Sequence, residues 1–222
     1  LVSDAHAPAI LSMSTFESGT RAEESTRKAH KTTRDAATNP FINLYENVLL
    51  STENWQDYDV VGISIVGISQ IIPGLTLARM IKEKYPHLHI TLGGPIFSVN
   101  AGQLIGHPEF FDDFCHSVVT FEGEEPMHRL LSALKAGNSL STVPNLLHLD
   151  GREVVQNKER VELRFEELPH PDFDGLPMDK YLSPYPILPV LQGRGCYWGK
   201  CNFCTHSLVY GHRYAKQKTQ AM

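Results

Sequence analysis

DVVGISIVGIS, Asp59–Ser69, decides the fold. Valine and isoleucine crowd this run, and after Asp59 nothing more polar than serine interrupts them. That is the continuous, β-branched pattern of a strand covered on both faces, as in a parallel sheet. The loop SQIIPG follows, with Pro73 placed to open a helix. Leu75, Ala78, Met80 and Ile81 give that helix a buried side, and it is expected to end near Lys84, before Pro86. HITLGGP then reads as a second strand running into a turn at Gly93-Gly94. Strand, helix and strand make one βαβ unit.

Working outward, the alternation continues. Ala101–Gly106 suggests a short helix, and HSVVTFEGEEP is a third strand that breaks into an acidic loop. Met127, Leu130, Leu131 and Leu134 follow at helical spacing, with Glu124 and Glu125 at the positive end of the helix dipole. Gly137 stops that helix. NLLHLDGREVVQN predicts a β-hairpin turning at Asp150-Gly151. A proline-rich run over 166–189 reads as an extended linker, and PILPVLQGRGC as a strand leading directly to Cys196. Upstream, residues 1–40 read as solvent-facing helical pieces ending at Asn39-Pro40. Phe41, Leu44, Tyr45, Val48 and Leu49 then mark an amphipathic helix. The expected organisation is a helical segment over 1–50, a Rossmann-like α/β domain over 51–150, a hairpin and linker over 151–186, and a distinct terminal region over 187–222.

Composition removes several function classes. Of 222 residues, 41% are hydrophobic and 20% charged, the balance of a globular protein with a real core. Twenty basic against 25 acidic residues leave a net charge of −5, so no basic field invites nucleic acid. The longest apolar runs, such as Val60–Val66, are too short to cross a bilayer, and no secretion signal is visible. Four cysteines, three of them bunched, do not make a secreted disulfide framework, so a cytoplasmic setting is expected. Because the chain opens on Leu1 and stops eighteen residues after its last cysteine, it is expected to be an excerpt of a longer protein.

The chemistry sits in GRGCYWGKCNFCTHS, Gly193–Ser207, where Cys196, Cys201 and Cys204 fall within nine residues. Thiolates are soft ligands for iron–sulfur clusters and zinc, and close spacing lets several reach one centre. Three of them leave a tetrahedral site one ligand short. On a four-iron cluster one iron then stays open to an exogenous ligand; on zinc, His206 or His212 would complete a structural Cys3His site in a non-catalytic binding module. Cys115, in an apolar stretch, reads as a small core residue. His6, His30, His87, His107 and His170 read as surface residues.

RGCYWGKCNFC resembles the cluster loop of radical SAM enzymes, with four and then two residues between cysteines where three and then two is usual. VVGISIVGISQIIPGLTLARMIKEKYP…ITLGGP, followed by FEGEEPMHRLL, resembles the cobalamin-binding domain that precedes the barrel in B12-dependent members, in a branch tied to maturation of ribosomally made peptides. The resemblance implies a Rossmann-like sheet followed by the start of a (β/α) barrel over 187–222. It implies a [4Fe-4S] cluster on Cys196, Cys201 and Cys204, S-adenosylmethionine on the open iron with Phe203 near its adenine, and cobalamin. Ser64, Ser69, Gln70, Gly93, Gly94, Gly123 and Glu124 fall on loops at the sheet's C-terminal edge, where ligands of such sheets bind. No Asp-x-His-x-x-Gly motif is present, so cobalamin is expected without a protein histidine below its cobalt. The implied reaction is reductive cleavage of S-adenosylmethionine to a 5′-deoxyadenosyl radical, for methylation of an unactivated carbon on a peptide or natural product. It also implies an electron donor such as flavodoxin or ferredoxin. By the same resemblance the tail HRYAKQKTQAM would start the first barrel helix; the later barrel strands would lie beyond Met222, so this chain alone is expected to be inactive.

Overall fold

A computed structural model describes residues 9–12, 15–162, 164, 168–181, 183–210 and 213–216. The chain divides into two compact units, residues 1–161 and 162–222.

The first unit opens with β1 (Ile10–Leu11) and β2 (Phe16–Glu17), an antiparallel pair, and then α1 (Thr26–Thr32). A helical stretch over 41–52, wound as a π-helix at Tyr45–Leu49, leads to β3 (Val60–Ser64). Next come α2 (Ile71–Lys84), β4 (His89–Gly93), α3 (Pro95–Leu104), α4 (Pro108–Phe114), β5 (Ser117–Val119), α5 (Glu124–Ala136), β6 (Leu146–Asp150) and β7 (Glu153–Gln156). The five strands β3 to β7 form one sheet in that order. β3, β4 and β5 are parallel; β6 and β7 add antiparallel. The βαβ unit therefore stands as the sequence predicts, and the hairpin turns at Asp150-Gly151, with Gly151 left-handed (φ 63°). The hairpin is not separate from the domain: it completes the sheet and makes it mixed.

Successive strand residues face opposite sides of a sheet. On one side Ile90, Leu92, Val118 and Leu147 pack into a core with Ile72, Leu75 and Ile81 of α2, Phe97 of α3, and Phe111 and Phe114 of α4. On the other, Val119 and Leu146 meet Leu130 and Ala133 of α5. Toward β3 this second side carries Gly62, Ser64 and Gly93, and there the sheet opens into a cleft.

Residues 9–40 differ from the solvent-facing helices expected. Phe16, Ala22, Ala29, Thr32 and Thr33 are buried. Apart from Phe16, small and polar side chains do this packing, which is why no apolar stripe announces it. Arg79 of α2 donates to the Thr33 carbonyl (2.7 Å), and Asn39 Nδ2 donates to the Thr32 carbonyl (3.2 Å) and to Thr76 Oγ1 (2.9 Å). The helix expected over 101–106 instead starts at Pro95, whose missing N–H suits a first turn.

In the second unit β8 (Gly193–Gly195) pairs antiparallel with β9 (Tyr214–Lys216), with α6 (His206–Tyr210) between them. Two expectations are corrected. The strand before Cys196 is confined to 193–195, and Ile187, Leu188, Val190 and Leu191 are exposed. Residues 214–216 of the tail, expected to begin a helix, form a strand. Gly195 makes that pairing possible: it is left-handed (φ 81°), and a Cβ there would stand 1.8 Å from the Arg213 carbonyl oxygen.

Candidate functional site

The register Ser64↔Gly93 ends β3 and β4 side by side, so their C-terminal ends form one ledge. The cleft above it encloses about 310 Å³, within the usual range for small-molecule sites. Gly62, Ser64, Thr91 and Gly93 line its strand side; Val119, Phe121, Gly123 and Met127 complete the wall. A Cβ on Gly62 would meet only Thr91 and Met127 side-chain atoms at 3.8 and 3.9 Å, so the glycine leaves space rather than relieving a clash. Gly94 is different. Its φ of 107° and a Cβ position 2.2 Å from the Ile65 carbonyl oxygen admit no side chain where the chain turns from β4 into α3.

The cleft gathers four of the residues expected from the sequence: Ser64, Gly93, Gly94 and Gly123. Ser69, Gln70 and Glu124 are not among its lining residues. Gln70 Oε1 accepts from the backbone N–H of Val66 (2.8 Å) and Gly67 (3.2 Å), closing the turn that carries Ser69. Glu124 is exposed in the first turn of α5. Sequence reasoning missed Gly62, Thr91, Phe121 and Met127 as lining. The helical spacing of Met127 with Leu130 and Leu134 points to helix packing rather than to a cleft, and no local pattern marks Phe121. A larger cavity of about 470 Å³ lies between Glu23–Ala29 and α3 and α4, but none of the predicted residues lines it.

From Thr91 of the cleft runs a row of buried and half-buried polar side chains. Ser117 Oγ donates to Thr91 Oγ1 (3.0 Å) and shares a hydrogen bond with His89 Nε2 (2.8 Å). The Ile90 N–H donates to His116 Nδ1 (2.9 Å). Burial pushes the pKa of both His89 and His116 down to about 4, holding them neutral near pH 7. Burial likewise pushes the Cys115 thiol up, and Cys115 is a core residue as expected. His30, His87, His107 and His170 are exposed, while His6 and His212 lie outside the described residues.

The cysteine loop has another character. Cys196, Cys201 and Cys204 are free thiols, the last two exposed. Cys196 Sγ accepts from the Gly199 N–H (3.4 Å), and Cys204 N–H donates to the Cys201 carbonyl (3.2 Å). Phe203 is 90% exposed. Among the described residues no three His, Cys, Asp or Glu side chains stand together as a metal site, so the loop does not gather its thiols, with or without His206. The donor chemistry still suits an iron–sulfur cluster: three unpaired thiols on an accessible loop with a left-handed hinge at Gly199 (φ 60°).

No protein-family model matches the chain. An uncharacterised methyltransferase from Pyrococcus horikoshii is 30% identical over 160 residues, covering 71% of this chain and 34% of that protein. A tRNA-2-methylthio-N(6)-dimethylallyladenosine synthase from Legionella pneumophila is 25% identical over 173 residues, 76% of this chain and 32% of its own length. Two structural neighbours are cobalamin-dependent radical SAM enzymes. OxsB, solved with aqua-cobalamin, superposes with a TM-score of 0.59 at 25% identity, over 81% of this chain and 24% of OxsB. The methyltransferase TsrM from Kitasatospora setae, solved with cobalamin and a [4Fe-4S] cluster, gives 0.50 at 18% identity, over 80% of this chain and 35% of TsrM. A second TsrM structure holds tryptophan and a SAM analogue. The chain thus shares the fold of these enzymes and spans about a third of the length of the curated relatives it matches.

Proposed function

We propose that this chain is the cobalamin-binding and cluster-binding portion of a radical SAM methyltransferase that acts on an unactivated carbon of a peptide or natural product. The cleft at the ends of β3 and β4 carries this reading, because its glycine and serine ledge admits close approach by a flat ligand. Its volume of about 310 Å³ suits a nucleotide-sized part of cobalamin rather than the whole corrin. Gly62 and Gly93 would carry the ligand, the Ser64 hydroxyl would hydrogen-bond to it, and Val119 and Met127 would keep water from its apolar side. Cys196, Cys201 and Cys204 would hold the cluster, with Phe203 beside S-adenosylmethionine. When bound, the cluster supplies an electron for reductive cleavage of S-adenosylmethionine, and cobalamin supplies a methyl carrier. In this reading residues 187–222 begin the barrel, a flavodoxin- or ferredoxin-type donor feeds the cluster, and the enzyme works in the cytoplasm. No helix among the described residues is long and apolar enough to cross a membrane.

Anaerobic reconstitution with iron and sulfide tests the cluster half: a brown protein with charge-transfer absorption is expected. A colourless protein retaining one zinc would sink it in favour of a Cys3His binding module. Titration with hydroxocobalamin tests the other half, through perturbation of the corrin bands.

A further inference from the structure

Among the described residues, the non-glycine residues with left-handed backbone are Arg21, Phe121 and Asn145. Of these, Phe121 (φ 61°) lines the cleft. A glycine would take this conformation freely, whereas a bulky phenylalanine is strained in it and persists only where its surroundings impose it. Those surroundings are specific. The Phe121 N–H donates to Ser98 Oγ (2.7 Å). Just before it, the Thr120 N–H and hydroxyl both donate to the Asn145 carbonyl (2.9 and 3.0 Å). Just after it, Asn145 Nδ2 donates to the Glu122 carbonyl (3.3 Å). Asn145 also grips the chain on either side of Arg160: its N–H donates to the Glu159 carbonyl (3.0 Å), and its Oδ1 accepts from the Val161 N–H (3.1 Å). The Arg160 guanidinium thereby lies over the Phe121 ring, 3.9 Å from its centroid, at cation–π distance. Asn145 and one arginine hold the strained Phe121 and its phenyl ring at the wall of the cleft.

We propose that Phe121 is a specificity-determining residue of the cleft, offering a stacking surface to a planar heteroaromatic group of the bound cofactor while Arg160 fixes the ring. This rests on the cobalamin reading above. In cobalamin such a group is the base of the nucleotide tail, and cobinamide carries the same corrin without it. The ring acts through its flat face, so its contribution belongs to the base and not to the corrin.

The test uses the 222-residue chain, titrated with hydroxocobalamin and separately with dicyanocobinamide while the corrin absorbance is followed. F121N and F121G both accept the left-handed backbone, so each removes the ring without unseating the loop, and thermal melting confirms the fold. Both variants are expected to bind hydroxocobalamin about tenfold more weakly, the effect of losing one base–aromatic stack, with cobinamide binding unchanged. R160Q is expected to move hydroxocobalamin binding the same way by less. Equal losses for the two corrinoids, or no loss for either, overturn the role of Phe121. If the wild-type chain binds neither corrinoid, the cobalamin reading itself falls, and the assignment of Phe121 falls with it.

Discussion

The two units carry candidate sites of opposite kinds. In the first, the cleft is built before any ligand arrives: paired strands form its ledge, and Asn145 ties down the loop at its wall. In the second, the three thiols are free on a loop whose aromatic residues Tyr197 and Phe203 are exposed, its start tied by the Cys196 N–H to the Arg213 carbonyl (3.1 Å). A sheet edge exists because the core behind it, including Ile90, Leu92 and Val118, pins the strands. A thiolate site of this type needs no such support, since metal–sulfur bonds themselves are strong enough to order a loop. Shape is therefore stored in the first unit and donor chemistry in the second.

That contrast can be broken most severely at the cysteines. Replacing Cys196, Cys201 or Cys204 singly with serine is expected to abolish cluster formation, read as loss of charge-transfer absorption after reconstitution. The same variants should leave hydroxocobalamin binding and the urea transition of the first unit unchanged. Coupled loss of both would mean the sites are not independently built.

Gly94→Ala attacks the first unit in the complementary way. The Cβ would collide with the Ile65 carbonyl in a backbone region open almost only to glycine, and a destabilisation of about 3–5 kcal/mol is expected. Urea denaturation measures it, and an unchanged midpoint would show that the β4–α3 turn relaxes freely. Cluster yield in this variant should track the wild type.

The remaining effect is in pH. Burial pushes the pKa of His89 and His116 down to about 4 from the ordinary histidine value of 6.5. Their folded-state values are depressed, so the unfolded chain binds more protons between those limits. Stability is full above about pH 6.5, falls as the pH drops toward 4, and levels off below. Urea midpoints at pH 7 and 4.5 should differ, with up to about two protons taken up on unfolding. H89Q should flatten part of that slope; a slope unchanged by it would assign the titration elsewhere.

Much of the framework was legible because it is written locally. The β-branched run at Val60–Val66, Pro73 near the start of a helix, and Gly137 and Gly151 at their turns each depend on a few neighbours in the chain. The burial of residues 9–40 was not legible, since alanine and threonine leave no periodic stripe and their anchors, Thr76 and Arg79, are some forty residues away. Ser69 and Gln70 follow β3 but do not line the cleft, and the Gln70 side chain caps its own turn.

By itself the sequence determined the β3–α2–β4 unit, the ledge of small residues at the ends of β3 and β4, and a three-thiol donor set. All of these follow from residue type and short-range spacing. Only the tertiary structure decided that the 146–156 hairpin completes the sheet, that the tail pairs with β8 rather than opening a helix, and that Phe121 stands left-handed under Arg160. Each depends on partners distant in sequence: Asn145 reaches back to Thr120 and forward to Val161, and Gly195 makes room for the Arg213 carbonyl. Backbone strain and cross-chain hydrogen bonds arise when the chain closes on itself, and no window of residues read alone contains them.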